Sequence, residues 1–249
     1  MDRPYVILCV SASIDGRVSL GPNRTMFDLG KRDEVLGTRE EWEEFYGSFQ
    51  ERYQPDVYME GSSMIVKEGA ELRTLAPYDG DPEKLRRDYL PREVIDRPGR
   101  KGWLAALDGR GRLRSGYTGE EDRPLMHLVS RSVSPEYLAF LRRTGIPYLV
   151  AGQERVDLAL ALNKMKEKLG VRTVLTSSGG RLAGALLKLG LLDEVHIRFN
   201  PVIIGGFNAP VLFASPDLEE GEPPVSLEVI ETWACPAGHI FVGYRVVRG

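Results

Sequence analysis

Two serines and two glycines, Ser177-Ser178-Gly179-Gly180, stand between a β-forming run, Arg172-Thr173-Val174-Leu175-Thr176, and a stretch with helical spacing over 181–190. A strand that ends in such a turn and opens a helix presents backbone N–H groups at the positive end of the helix dipole, and these bind phosphate oxygens. Glycine lets a backbone approach a ligand closely, and serine hydroxyls add donors. The same residues also make an ordinary helix cap, so locally both readings stand. A second set, Ser130-Arg131-Ser132, follows the apolar run Leu125–Val129. Hydroxyl and guanidinium donors there suit the 2′-phosphate of a dinucleotide, with a plain polar loop as the alternative. Metal chemistry has little support. His127, His196 and His239 are scattered and have no ligand spacing with Cys9 or Cys235. The zinc deaminase signature, His-x-Glu with Pro-Cys-x-x-Cys, is absent from the sequence.

These residues need a scaffold, and strands alternate with helices along most of the chain. Tyr5–Val10 is a continuous apolar run of the kind buried on both faces in a parallel sheet. The Asp-Gly pair of Ser13-Ile14-Asp15-Gly16 then marks a turn. Val35, Leu36, Trp42, Phe45, Tyr46 and Phe49 predict a helix over 31–48. A short strand is expected at 56–61 and a short helix around 64–66. Residues 73–123 are rich in glycine, proline and charge, with Trp103–Leu107 as the one clear strand, and are expected to form a loop-rich insertion over the site. Beyond it the pattern predicts strands at 125–129, 147–150, 172–176 and 194–199. The intervening helices start near Pro135, at Leu158 and at 181, and glycines close them. Glu194–Phe199 alternates as a strand with one polar face would. Val225–Cys235 and His239–Val247, around Pro236-Ala237-Gly238, read as an antiparallel hairpin. The expected fold is α/β: a mixed, mostly parallel sheet with helices on both faces and a C-terminal antiparallel hairpin, as one domain over 1–249. Trp42, Trp103 and Trp233 are expected in the core or an interface, with Trp103 alternatively lining a pocket. The acidic run 217–222 is expected as an exposed loop.

The bulk properties agree. The chain has 249 residues, 42% apolar and 28% charged, with a net charge of −3. That is long enough for a sizeable core, and nothing in the charge balance steers it to nucleic acid or an anionic membrane. Two cysteines suit a reducing compartment, no apolar run reaches the roughly 18 residues of a membrane span, and the start lacks the pattern of a signal peptide. A cytoplasmic protein is expected.

Leu182-Ala183-Gly184-Ala185-Leu186-Leu187, Gly190-Leu191-Leu192-Asp193-Glu194 and Pro201-Val202-Ile203-Ile204-Gly205-Gly206 together resemble the reductase domain of riboflavin biosynthesis, in the dihydrofolate-reductase-like superfamily. At the other end of the chain, Ala12-Ser13-Ile14-Asp15-Gly16-Arg17 resembles the family's opening turn. The resemblance implies NADPH as cofactor, reduction of the ribose of a phosphoribosylamino-pyrimidine to a ribityl chain through a ring-opened imine, and a homodimer. By the same resemblance Ala12, Gly61, Ser62, Ser63, Asp108, Gly109, Ser178, Gly179, Gly180, Arg181 and Leu182 fall on cofactor-binding positions. Asp15 is the best-matched acidic residue and the catalytic candidate, with a turn former as its other reading, and Ser177, where the family usually has an acidic residue, is a substrate-binding candidate. The family's Asp-Asp-Pro substrate segment is replaced by Val66–Thr74, in which Lys67, Glu68 and Arg73 are the substrate-binding candidates. The altered segment leaves two alternatives: a reductase of this fold acting on another small heterocyclic or carbonyl compound, and a non-catalytic nucleotide-binding relative.

Overall fold

The structure, a computed structural model, describes residues 2–25, 28, 37–67, 69–235 and 237–247. In chain order the elements are β1 (Tyr5–Ser13), β2 (Ser19–Gly21), β3 (Arg24–Thr25), α1 (Arg39–Tyr53), β4 (Val57–Gly61), α2 (Arg92–Ile95), β5 (Trp103–Leu107) and β6 (Leu125–Val129). Then follow α3 (Pro135–Arg143), β7 (Tyr148–Val150), α4 (Leu158–Leu169), β8 (Thr173–Thr176), α5 (Gly180–Lys188), β9 (Glu194–Asn200), β10 (Leu227–Ala234) and β11 (Ile240–Val246). The chain falls into two compact units, one of residues 1–4 and 55–174, the other of residues 5–54 and 175–249. The boundary lies inside β8.

In the first unit β4, β5, β6 and β7 pair in that order, all parallel. Gly61 pairs with Leu107, Leu107 with Leu128 and Leu128 with Leu149, so the carboxyl ends of the four strands form one edge. The strands read as apolar runs because they are buried: Met126, Leu128, Val129, Tyr148 and Leu149 have no more than trace exposure. α3 packs Tyr137, Leu138, Phe140 and Leu141 onto Val129, Ile146 and Tyr148. Each fully buried side chain of this size contributes about 1.5–3 kcal/mol. Its start is sharp because Ser134 Oγ accepts the Tyr137 N–H and Pro135 sits in the first turn. α4 is capped by Asp157, which accepts the Leu160 N–H at 2.9 Å, and ends at Gly170 with φ 69°. The segment 73–123 belongs to this unit. Leu85, Val94 and Leu113 are buried, and Trp103 is core rather than pocket lining, 1% exposed.

In the second unit β1 pairs parallel with β9, β9 antiparallel with β11, and β11 antiparallel with β10. The expected hairpin is therefore present. The helix expected over 31–48 is found later, at Arg39–Tyr53; residues 31–36 lie outside the described ones. Its start is set by a capping box, in which Thr38 and Glu41 exchange side-chain and backbone bonds. Phe45 and Phe49 face Phe241 and His196, with ring centroids 4.7 and 4.8 Å apart. That packing corrects the expected open polar face of β9, for Glu194, His196, Arg198 and Asn200 are all buried. Among the described residues no helix is long and apolar enough to cross a membrane.

Candidate functional site

In the second unit three separated sequence motifs come together. β1 ends with Ala12 and Ser13 fully buried. The chain then turns at Gly16, φ 73°, and Asp15 reaches the segment after β9. Its carboxylate accepts the Ser13 hydroxyl at 2.6 Å, the Ile204 N–H at 3.0 Å and the Gly205 N–H at 2.7 Å. The Ser13 hydroxyl and these backbone donors hold its pKa at about 2. Asp15 is thus an ionised clamp on the Pro201–Gly206 loop, where Gly205 and Gly206 supply the positive φ values of 67° and 82° that the loop requires. The same segment runs on beside the β1 turn: Arg17 Nη1 donates to Ala209 O at 2.8 Å and Val18 N to Pro210 O at 2.9 Å. It then reaches α5, with Ala214 N donating to Gly180 O at 2.9 Å.

The glycines of this turn divide into two kinds. A methyl group on Gly180 would overlap the Val211 carbonyl oxygen, and one on Gly184 would lie 2.6 Å from the Ala214 carbonyl carbon. These two are glycine so that the 211–214 segment can lie against the helix. Gly179 is different, because a methyl there would have only Val18 Cγ2, 4.0 Å away, as a neighbour. Gly179 is also the N-cap of α5 and brings no side-chain cap, whereas α1, α3 and α4 are each capped by a side chain. An open, glycine-capped helix start suits an anion with two or more oxygens, such as a phosphate. Ser178 is buried with its N–H on Thr176 Oγ1 at 3.2 Å, Ser177 is half-buried, Arg181 exposed and Leu182 buried.

In the first unit the other predicted positions lie along the carboxyl edge, where ligands of open parallel sheets bind. Gly61 ends β4, and Ser62 and Ser63 open a single turn of 3-10 helix. A methyl on Gly61 would meet nothing closer than Ser63 Oγ at 3.7 Å, so this edge too has room. Asp108 behaves otherwise. It is fully buried and accepts the Arg112 N–H at 3.0 Å, the Leu113 N–H at 2.8 Å and the Tyr137 hydroxyl at 2.6 Å. The Asp108 side chain therefore shapes the 108–113 turn from beneath. Gly109 is close-packed on Val156, 3.3 Å from a methyl placed there. Tyr137 also bonds His127 Nδ1 at 2.8 Å, and burial keeps that imidazole neutral by lowering its pKa to about 4.

Arg112 and Arg114 are functional candidates that the motifs alone did not single out. Arg112 Nη2 donates to the Val66 and Lys67 carbonyls at 2.8 and 2.7 Å, and Arg114 Nη1 to the Arg73 carbonyl at 3.0 Å. They tie the 66–73 segment to the Asp108 turn. The alternation Arg110-x-Arg112-x-Arg114 is the signal that could have found them. Lys67 and Arg73 are exposed, and Glu68 lies outside the described residues. Of the 2′-phosphate candidates, Arg131 pairs with Glu83 at 2.6 Å, and Ser130 Oγ bonds Ser132 Oγ at 2.9 Å and Gly109 O at 3.3 Å.

A family model described as the RibD C-terminal domain matches residues 4–241. The 2,5-diamino-6-ribosylamino-4(3H)-pyrimidinone 5′-phosphate reductase of Methanothermobacter thermautotrophicus is 27% identical, over 91% of this chain and 91% of that protein. The reductase of the same name from Archaeoglobus fulgidus is 27% identical, over 84% of this chain and 86% of its own. Among solved structures, a pyrimidine reductase-like protein of Corynebacterium diphtheriae aligns with a TM-score of 0.65 at 19% identity, covering 100% of this chain and 94% of that one. Acinetobacter baumannii RibD aligns with a TM-score of 0.63 at 18% identity, covering 99% of this chain and 59% of that one. The fold is that of these reductases, mixed and mostly parallel.

Proposed function

The chain belongs to the RibD C-terminal domain family, and from that premise we propose that it is an NADPH-dependent reductase that converts the ribose of a 5-phosphoribosylamino-pyrimidine to the ribityl form. The carrying observation is the open, glycine-capped start of α5 at Gly179, set directly after β8 and braced from behind by the 211–214 segment. A nicotinamide cofactor supplies the hydride when bound. Each of the two units offers its own holding residues. Gly179 and the first turn of α5 take a phosphate, with Ser177 and Arg181 beside it. Ala12, small and buried near the end of β1, is the residue that the family resemblance sets against the nicotinamide. Gly61, Ser62 and Ser63, and the backbone of the 108–113 turn, offer further polar contacts on the first unit's edge. Lys67 and Arg73, on the segment tied down by Arg112 and Arg114, are cationic partners for the substrate phosphate. Asp15 acts as a positioning residue: at neutral pH it carries no proton to give, and it holds the Ile204 and Gly205 amides in place. The reaction is then hydride delivery to C1′ of the ring-opened imine, with a solvent proton ending on nitrogen. Its rate comes from proximity and orientation.

Preference for NADPH over NADH rests in this reading on Ser130, Arg131 and Ser132 at the end of β6. A homodimer in a reducing cytoplasm completes the proposal. The second copy meets the free edge of β10, where Leu227, Val229 and Trp233 are exposed apolar side chains. The decisive assay incubates the protein with NADPH and 2,5-diamino-6-ribosylamino-4(3H)-pyrimidinone 5′-phosphate and follows nucleotide absorbance. Turnover with NADPH, and slower turnover with NADH, is expected. NADPH binding with no turnover of this substrate would overturn the substrate assignment, and absence of fluorescence quenching by either nucleotide would overturn the reductase reading itself.

A further inference from the structure

At the carboxyl end of β7, within the first unit, lies a cavity of about 450 Å³. Its charged lining is Arg86, Arg87, Asp88, Arg131, Lys164 and Lys168. Lys164 and Lys168 are four residues apart on α4 and so share a face. Asp88 sits between them, 3.0 Å from Lys164 Nζ and 2.7 Å from Lys168 Nζ, and also accepts the Val150 N–H at 2.8 Å. Glu83 does the same on the other side, bridging Arg86 at 2.7 Å and Arg131 at 2.6 Å. Each carboxylate thus brackets two cations and leaves one positive charge over. Arg87 adds a third: it is exposed and has no hydrogen-bond or ion-pair partner among the described residues. Arg86 Nε is buried with no acceptor.

Five cations against two carboxylates leave an excess of three positive charges in a concavity of a chain whose net charge is −3. A cleft lined by one sign of charge focuses potential and draws counter-charge. The carboxylates pair with four of the five cations, which lowers the ordering cost for a ligand. Guanidinium forks match phosphate oxygens, and ammonium groups add point charge. We propose that this cavity binds a phosphate-bearing anion with two or three negative charges, a diphosphate or a phosphate monoester.

The source is either a phosphate of the dinucleotide or a separate phosphorylated metabolite. Calorimetric titration of the full chain with inorganic pyrophosphate reads the cavity in the part of the signal that the cavity variant loses, because the α5 start also offers a phosphate site. Saturable binding is expected, weakened about tenfold or more in the Arg87→Ala/Lys168→Ala double variant and retained in Arg87→Lys and in Gly179→Ala. Circular dichroism verifies that the variants are folded. Repeating the titration with NADPH present separates the sources. Loss of the pyrophosphate signal assigns the cavity to the dinucleotide, and its persistence assigns it to a second phosphorylated compound. No saturable binding up to about 10 mM, or equal affinity in the double variant, would overturn the proposal whether or not NADPH binds.

Discussion

Single residues in this protein take their meaning from which atoms face them. Gly179, Gly180 and Gly184 look alike in the sequence, yet only Gly179 faces open space. Gly184→Ala is expected to lower unfolding free energy by about 1–3 kcal/mol, as overpacking against backbone does, with denaturant melts as the measure. Gly179→Ala should change stability by less than about 1 kcal/mol and yet weaken NADPH binding, seen as reduced fluorescence quenching. If instead Gly179→Ala binds NADPH as well as the parent, the α5 cradle is in the wrong place. Asp15 makes a second case. Held at about 2, it does not titrate in the working range. Asp15→Asn should therefore lower kcat/KM by a similar factor at every pH from about 5 to 9, leaving the shape of the profile unchanged. An acid limb that disappears in the variant would make Asp15 a proton donor after all.

Elements are held by networks that local patterning hides. Along β9 the alternation of polar and apolar residues suggests a wet face, but α1 covers it and the polar residues bond one another. Glu194 accepts Tyr5 at 2.7 Å and also Tyr53, and lies 2.9 Å from His196 Nε2; His196 Nδ1 in turn is 3.5 Å from Glu231. Burial opposes the Glu194 charge, yet the bonds from His196, Tyr53 and Tyr5 outweigh it and bring the pKa to about 2 from 4.5. A carboxylate depressed by folding stabilises the native state above its unfolded pKa, and that contribution is lost as pH falls through the folded value. The stabilisation is therefore complete above about 4.5 and drains away towards 2. Glu194→Gln should be less stable than the parent at pH 7 and show a shallower loss between pH 4.5 and 2 in thermal melts. A parallel pair of curves would mean that the network does not hold this charge.

At the scale of the whole molecule, the free edge of β10 carries the prediction about assembly. β10 pairs with β11 on one side and with no strand among the described residues on the other, and with Leu227 44%, Val229 58% and Trp233 46% exposed that edge invites a second chain. Light scattering after gel filtration at micromolar concentration should give twice the chain mass, and Val229→Lys should move it towards the monomer. A parent protein that runs as a monomer at that concentration removes the dimer from the proposal.

Much of this molecule was legible before its coordinates. Strands and helices announced themselves through apolar runs, helical spacing, and the caps Ser134, Asp157 and Gly170, because those signals act over a few residues. The motifs around Asp15, Gly179 and Gly205 identified the family and the class of chemistry for the same reason. Of three departures, two depended on contacts between residues distant in sequence and one, the cap of α1, on residues only three apart. Asp108 proved to be a buried brace, with Arg112 and Arg114 tying its turn to the 66–73 segment. The start of α1 fell at a capping box that the apolar pattern over 31–48 did not mark. The cationic cavity gathers residues 86–88, 131 and 164–168, which no local pattern relates. Local conformational preference, written residue by residue, thus determined the elements, whereas burial and charge pairing, which only the packed chain creates, decided which glycine is open, which carboxylate is a clamp and where positive charge collects.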